Sequence, residues 1–351
     1  MIQRAPTFRR FSRALYALLA VLLFLSGGCA TTPPPPFRVE PARREKPAAG
    51  ETVPLTEREH RSADYAVINA LSSDTYGSLA RYYLGDEKFA YLIAEFNKNA
   101  RIVPGKEVVI PLKPVNPGGL YPEGYQTVPI LCYHQLSPKK SSNKITVSEE
   151  TFDRQMAYLK VSGYNVITLR QFLDFVECRR RPPQKSVLIT IDDGWKTART
   201  IAYPILKKYG FTAVLFIYTD LIKDKQNSLT LSWDDVLALR KSGVFEIGSH
   251  TVTHSDLGKV SDDQLQRELQ DSQRIINAKV GITPDVIAYP NGVFNKKVMD
   301  SMSKYGYKAG FTVVRGPNAF FQNTYALNRS MVHNSERLSD FAKLLETFRR
   351  E

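Results

Sequence analysis

Val187-Leu188-Ile189-Thr190-Ile191-Asp192-Asp193-Gly194 is an apolar, β-branched run that ends in two carboxylates and a glycine. It predicts a buried strand over 187–191, with both acids at its carboxyl end. A strand that merely turned at Asp-Gly would need one acid. Two side by side repel each other, which points to a chemical use. Outward from this run the same unit recurs. Gly163-Tyr164, Gly210-Phe211, Gly243-Val244 and Gly306-Tyr307 each set a helix-stopping glycine just before an apolar stretch. Further strands are predicted over 128–133, 166–169, 212–218, 245–247 and 286–289. Helices are predicted to open at Ser148, Ser232, the Ser261/Gln264 capping box and Asn295, with another over 197–209. Alternating strands and helices with such short returns predict an α/β fold with a parallel sheet, open or closed into a barrel. Either form keeps its reactive residues at the carboxyl ends of the strands.

Ser249-His250-Thr251-Val252-Thr253-His254 follows one of those predicted strands. Residues four apart share a face in a helix and in a strand, so His250 and His254 can aim at one ion. Zinc proteases of the His-Glu-x-x-His type carry their base between the two histidines. No glutamate stands between these, so a base must come from elsewhere. Joined to Asp192-Asp193, the pair completes a set of two imidazoles and one carboxylate for a metal, with a second carboxylate left for proton transfer.

The region from about 129 to 329 resembles the polysaccharide deacetylases of the NodB-homology, carbohydrate esterase family 4 type. Thr190-Ile191-Asp192-Asp193-Gly194 is similar to the first motif of that family. The His250/His254 segment is similar to the second, and Ala288-Tyr289-Pro290-Asn291-Gly292 to the third in its Tyr-Pro-x-Gly variant. The resemblance implies a deformed (β/α)7 barrel, with Asp193, His250 and His254 as ligands of a divalent metal and Asp192 as catalytic base. The metal implied is zinc, with nickel, cobalt or iron as alternatives. Many relatives orient the base with an arginine in the third motif. This segment has none, and Arg329, in Leu327-Asn328-Arg329, is the candidate substitute. Asn291 stands where relatives commonly carry tyrosine. Its backbone N–H is expected to serve the oxyanion, with Tyr289 and Pro290 as substrate-binding neighbours. Leu131-Cys132-Tyr133-His134 resembles the Tyr-His motif of the branch acting on poly-N-acetylglucosamine exopolysaccharide, which makes His134 the expected acid. His333 is the competitor, because many relatives place the acid near the end of the domain. Trp195 is a candidate to stack on a sugar face, with core packing as the alternative.

The start of the chain belongs to no globular body. Arg4, Arg9, Arg10 and Arg13 precede an apolar run over 14–25, too short to span a bilayer, and Ser26-Gly27-Gly28-Cys29 follows. Residues 1–28 resemble a bacterial lipoprotein signal with Cys29 as the lipidated residue, although Ser26 holds the usual aliphatic place. Residues 29–62, with Pro33-Pro34-Pro35-Pro36, read as a flexible tether. Residues 63–113 resemble a LysM module through Asp74-Thr75, a central Asn97 and the closing Pro104-Gly105-Lys106-Glu107-Val108-Val109-Ile110-Pro111. That resemblance implies N-acetylglucosamine binding, against a purely structural appendage. Residues 120–351 form the expected deacetylase domain. The chain carries +13, of which the four signal arginines account for four, leaving +9. A basic exported protein faces anionic envelope polymers rather than nucleic acid. Cys132 lies in an apolar strand and reads as a buried free thiol, not as a partner of Cys178.

Together these features predict a metal-dependent hydrolase that removes N-acetyl groups from N-acetylglucosamine-containing exopolysaccharide or peptidoglycan. It is expected to be exported and lipid-anchored, at the outer membrane or the periplasmic face. The rival reading is a non-catalytic glycan-binding envelope lipoprotein.

Overall fold

The computed structural model describes residues 54–225 and 228–350. The predicted signal segment, Cys29 and most of the predicted tether therefore lie outside the described residues. Seven strands run parallel in the order Ala309–Phe311, Val286–Ala288, Phe245–Ser249, Ala213–Ile217, Ser186–Ile191, Ile130–Tyr133, Ser330–Met331. One segment reaches both edges. Leu327 bridges Phe311, while Ser330 and Met331 pair with Leu131 and Cys132. This closes the sheet into a deformed (β/α)7 barrel whose last join is short. The glycines predicted to stop helices do so: Gly163, Gly210, Gly243 and Gly306 all have φ between 70° and 77°, where a side chain would be strained.

Strand alternation divides the core in two. Leu188, Val214 and Phe216 belong to an inner cluster with Ile130, Val286 and Phe311. Their neighbours Val187, Ile189, Leu215 and Ile217 pack outward against Phe152, Met156 and Leu206 of the surrounding helices. The same alternation puts Thr190 and Asp192 on the inner side with Leu188. Gly248 is fixed by this packing, because a Cβ there would lie 2.4 Å from the Phe216 ring. One predicted strand fails. Residues 166–169 form no strand beyond Asn165–Val166, because Thr168 and Gln171 make a reciprocal capping box that starts a helix at Leu169. That helix, Leu169–Val176, sends Phe172 and Phe175 into the inner cluster. Over 197–209 the chain runs as a π segment, Ala198–Ala202, and then an α-helix, Tyr203–Tyr209. At Ser261 only half of the predicted box forms, the serine accepting from Gln264 N–H.

The segment before the barrel is a small α+β unit. Its antiparallel sheet runs Glu59–Arg61, Tyr65–Asn69, Glu107–Pro111, with helices Tyr76–Leu84 and Ala90–Phe96 packing Leu79 and Ile93 over Ile68 and Ile110. Asn97 ties helix to strand: its amide donates to Ile93 O and Val109 O and its oxygen accepts from Val109 N. The predicted tether ends earlier than residue 62. Residues 59–61 form the first strand, and Arg58 binds both carboxylate oxygens of Asp74. That buried pair recruits a segment whose composition alone reads as loose. The small unit touches the barrel through Tyr91, whose hydroxyl donates to Arg181 O at 2.6 Å, an Arg181–Glu95 ion pair, and Arg180 stacked 3.8 Å from the Phe89 ring centroid. Residues 180–181 lead into the amino end of strand Ser186–Ile191, so this contact lies at the opposite end of the barrel from Asp192 and Asp193. No helix among the described residues is long and apolar enough to cross a membrane.

Candidate active site

Asp193, His250 and His254 converge, with one ligand atom from each lying within 4.8 Å of the others. Asp193 Oδ1 is 3.7 Å from His250 Nε2 and 3.8 Å from His254 Nε2, and the two imidazoles meet edge to face with centroids 4.7 Å apart. His250 Nδ1 lies 2.7 Å from Ala288 O. A carbonyl only accepts, so Nδ1 carries the hydrogen and Nε2 presents its lone pair to Asp193 and His254. Burial lowers the His250 pKa, against the pull of Asp192 and Asp193, which favours the neutral, ligating form. Asp193 Oδ2 accepts from the Trp195 indole N–H at 2.8 Å. That bond fixes the carboxylate so that Oδ1 faces the imidazoles. Two imidazole nitrogens and one oriented carboxylate oxygen are a donor set that fits a divalent cation such as zinc.

The backbone here is held in an unfavourable region. Asp193, Thr251, His254 and Asn291 have φ of 78°, 73°, 62° and 56°. Left-handed conformations cost a non-glycine residue about 1–3 kcal/mol each and cluster at functional sites. A β-branched residue such as Thr251 is the least suited to one.

Asp192 turns the other way, into the barrel. Arg329 donates from both terminal nitrogens to its two oxygens at 2.7 Å, and further to Thr190 Oγ1 and Thr312 O. The guanidinium is fully buried and lies over the Phe216 ring. Burial by itself would raise the Asp192 carboxyl, but Arg329 overcomes this and holds it well below the usual carboxylate range. Cys132, on the neighbouring strand, points its thiol at Asp192 Oδ2 from 3.5 Å, and burial pushes that thiol far up. Cys132 is a free buried thiol and Cys178 a free exposed one.

The remaining candidates divide. His134 directly follows the first barrel strand and has a ring nitrogen within 4.8 Å of both Asp192 and Cys132. His333 pairs instead with Glu336, 3.6 Å away. Asn291 is exposed on a left-handed turn, and its backbone N–H has no partner among the described residues. Pro290, which opens that turn, is buried. Tyr289 does not line a substrate site as expected. Its ring is wholly buried, stacked on Phe294, with the hydroxyl donating to Tyr325 O. It follows strand Val286–Ala288 with its side chain on the outer, packed side, in the cluster with Leu265 and Met302. Trp195 is a half-buried residue bound to Asp193 rather than a free platform. The sequence reading missed this bond because i,i+2 contacts across a turn leave no periodic signal.

Comparison with known proteins agrees with this architecture. A model of the family described as Polysaccharide deacetylase matches residues 179–310. YxkH of Bacillus subtilis (strain 168), named as a polysaccharide deacetylase, is 31% identical over 222 residues, 63% of this chain and 77% of that protein. The poly-beta-1,6-N-acetyl-D-glucosamine N-deacetylase of Staphylococcus aureus (strain MSSA476) is 28% identical over 207 residues, 56% of this chain and 71% of the relative. Among solved structures, the Streptococcus pyogenes deacetylase PplD in complex with acetate superposes with TM-score 0.58 at 26% identity, covering 63% of this chain and 98% of that one. IcaB from Ammonifex degensii shares the fold, with TM-score 0.55 at 20% identity over 63% of this chain and 98% of its own. The chain belongs to the polysaccharide deacetylase family.

Proposed function

We propose that this protein is a divalent-metal-dependent N-deacetylase of N-acetylglucosamine-containing envelope polysaccharide. The observation that carries the reading is the meeting of Asp193, His250 and His254 at the carboxyl end of the barrel, beside an Asp192 kept ionised by Arg329. A divalent cation held by those three residues would supply Lewis-acid polarisation of the amide carbonyl and an acidified water. Asp192 accepts a proton from the attacking water, a role contributing on the order of 10²–10⁴-fold. The Asn291 N–H, exposed on its turn, donates to the oxygen that gains charge. His134 delivers a proton to the departing amine, so that acetate and the free amino sugar separate.

Among substrates, the Tyr133-His134 pair and the similarity to the staphylococcal enzyme favour poly-β-1,6-linked N-acetylglucosamine. The LysM-like unit favours wall glycan, which keeps peptidoglycan as the second reading. A non-catalytic glycan binder would have no use for the arginine-held Asp192 beside a complete ligand set. The protein is further proposed to be exported and held by a lipid on Cys29, at the outer membrane or the periplasmic face, with the LysM-like unit adding glycan affinity. Acetate release from defined N-acetylglucosamine oligomers, with and without chelator, tests the activity. No release under any metal supply would refute it. Acetate yields from purified poly-β-1,6-N-acetylglucosamine and from peptidoglycan decide the substrate.

A further inference from the structure

Helix Asp262–Val280 carries an acid where a core residue is expected. Glu268 is 2% exposed and lies among Leu265, Leu269 and Ser272 on the buried face. Among the described residues it has no ion pair. Its carboxylate is spent on the loop between the two histidines: Oε2 accepts from Val252 N at 2.9 Å and Thr253 N at 3.0 Å, and Oε1 accepts from Thr253 Oγ1. One turn along the helix, Ser272 binds Ser249 Oγ at 2.9 Å, directly before His250. The carbonyls of Thr251 and Val252 point to the other side and accept from Thr219 N and Asp220 N. The loop is thus gripped from both sides, with amides to Glu268 and carbonyls to the 219–220 turn. Between those grips Thr251 and His254 sit at positive φ. Freed of the carboxylate, the Val252 and Thr253 amides would no longer anchor the loop, Thr251 and His254 would relax toward ordinary backbone angles, and His254 Nε2 would swing away from Asp193.

We infer that Glu268 is a positioning residue for the metal centre, holding the 251–254 loop in the strained form that aims His254 at the site of His250 and Asp193. This rests on the proposed metal role of those three residues. It is independent of the proton-transfer roles of Asp192 and His134.

The test is zinc affinity, measured by competition with a chromophoric chelator on the full chain, at a temperature where circular dichroism shows every variant folded. E268A is expected to weaken binding by about 10–100-fold, the range for lost outer-shell partners of metal ligands. E268Q is expected to stay within about threefold of wild type. Its amide oxygen still accepts from the two N–H groups, and its NH2 can donate to Thr253 Oγ1. That rescue separates loop positioning from a need for charge near the metal. Should E268A fail to fold, E268D serves. It keeps the carboxylate but draws it back by one methylene, and a loss of at least about threefold is expected from the weakened outer shell. Wild-type affinity in a folded E268A, or in E268D where E268A does not fold, overturns the inference. So does an E268Q as weak as E268A. A wild-type chain that takes up no zinc refutes the metal-site reading itself, whatever the variants do.

Discussion

Replacing Arg329 by methionine isolates the central electrostatic element of the barrel. Methionine nearly fills the volume, so the cavity contribution is small and the unpaired Asp192 carboxylate dominates. Arg329 is 0% and Asp192 1% exposed on their side chains. Breaking such a pair from one side costs about 3–5 kcal/mol. The carboxylate has an escape, because it can take up a proton. Protonating an acid of ordinary pKa about 3.9 at pH 7 costs about 4 kcal/mol, which caps the penalty, so about 3–4 kcal/mol is expected at neutral pH. The sign with pH follows. In the wild type the Asp192 pKa is lowered on folding, so its pairing adds stability above the unfolded pKa that is lost as pH falls through the lower folded value. In the variant burial is unopposed and the folded pKa is raised, so the penalty grows as pH rises above the unfolded value. Both effects widen the gap between the two proteins at pH 7 and narrow it toward pH 4. Thermal unfolding followed by circular dichroism in EDTA should show Tm lower by about 6–16 °C at pH 7, and much less at pH 4.5. Acetate release should drop by about 10²–10⁴-fold, because a protonated Asp192 accepts nothing. Adding Asp192→Asn to Arg329→Met should restore part of the stability and none of the activity. A single variant that melts within about 2 °C of wild type at pH 7, or a gap that widens in acid, would refute the account.

Four further outcomes follow from the site. Asp192→Asn should retain zinc while losing turnover, whereas Asp193→Asn should lose zinc; metal analysis beside acetate release separates them, and equal metal loss in both would merge the two roles. Trp195→Phe removes the indole donor to Asp193 Oδ2 and should weaken zinc binding by about 10–100-fold with little change in Tm. His134→Gln should lower kcat by about 10²–10⁴-fold, while His333→Gln, already turned to Glu336, should change it little; the reverse ranking would reassign the acid. Tyr289→Phe leaves Tyr325 O without its buried donor and should cost about 1–3 kcal/mol of stability with near-normal kcat and KM, whereas a KM effect would return Tyr289 to the substrate site.

Much of this fold is legible because local and tertiary signals agree. The apolar runs at 187–191 and 213–217 are strands on both readings, and each helix-stopping glycine sits at a real left-handed residue. The 166–169 stretch misleads because β-branched Val166 and Ile167 favour a strand, while the Thr168–Gln171 box, two residues on, decides for helix. Arg58 was hidden for a different reason. Its partner Asp74 is sixteen residues away, and composition cannot show a tertiary ion pair. At the site, residue identity is legible and orientation is not. Tyr289 directly precedes the Pro290–Asn291 turn of the proposed site, but strand alternation turns its ring into the core. Glu268 leaves one faint trace, an acid on the apolar stripe of Leu265, Leu269 and Ile276.

The adjacent acids raise the repulsion problem, and the barrel resolves it through backbone direction. Asp192 follows the inward register of Leu188 and Thr190 and spends its charge on Arg329. Asp193, at φ 78°, turns back out of register toward two imidazoles and an indole. One residue of separation thus yields two environments, a buried guanidinium on one side and a cation-binding donor set on the other. Environment, more than residue type, would divide the proposed proton acceptor from the proposed ligand, as it divides paired carboxylates in other hydrolases. The arrangement also explains how the third motif can lack an arginine. The closing strand Ser330–Met331 already runs beside the first one, and Arg329, just before it, enters the barrel directly against Asp192.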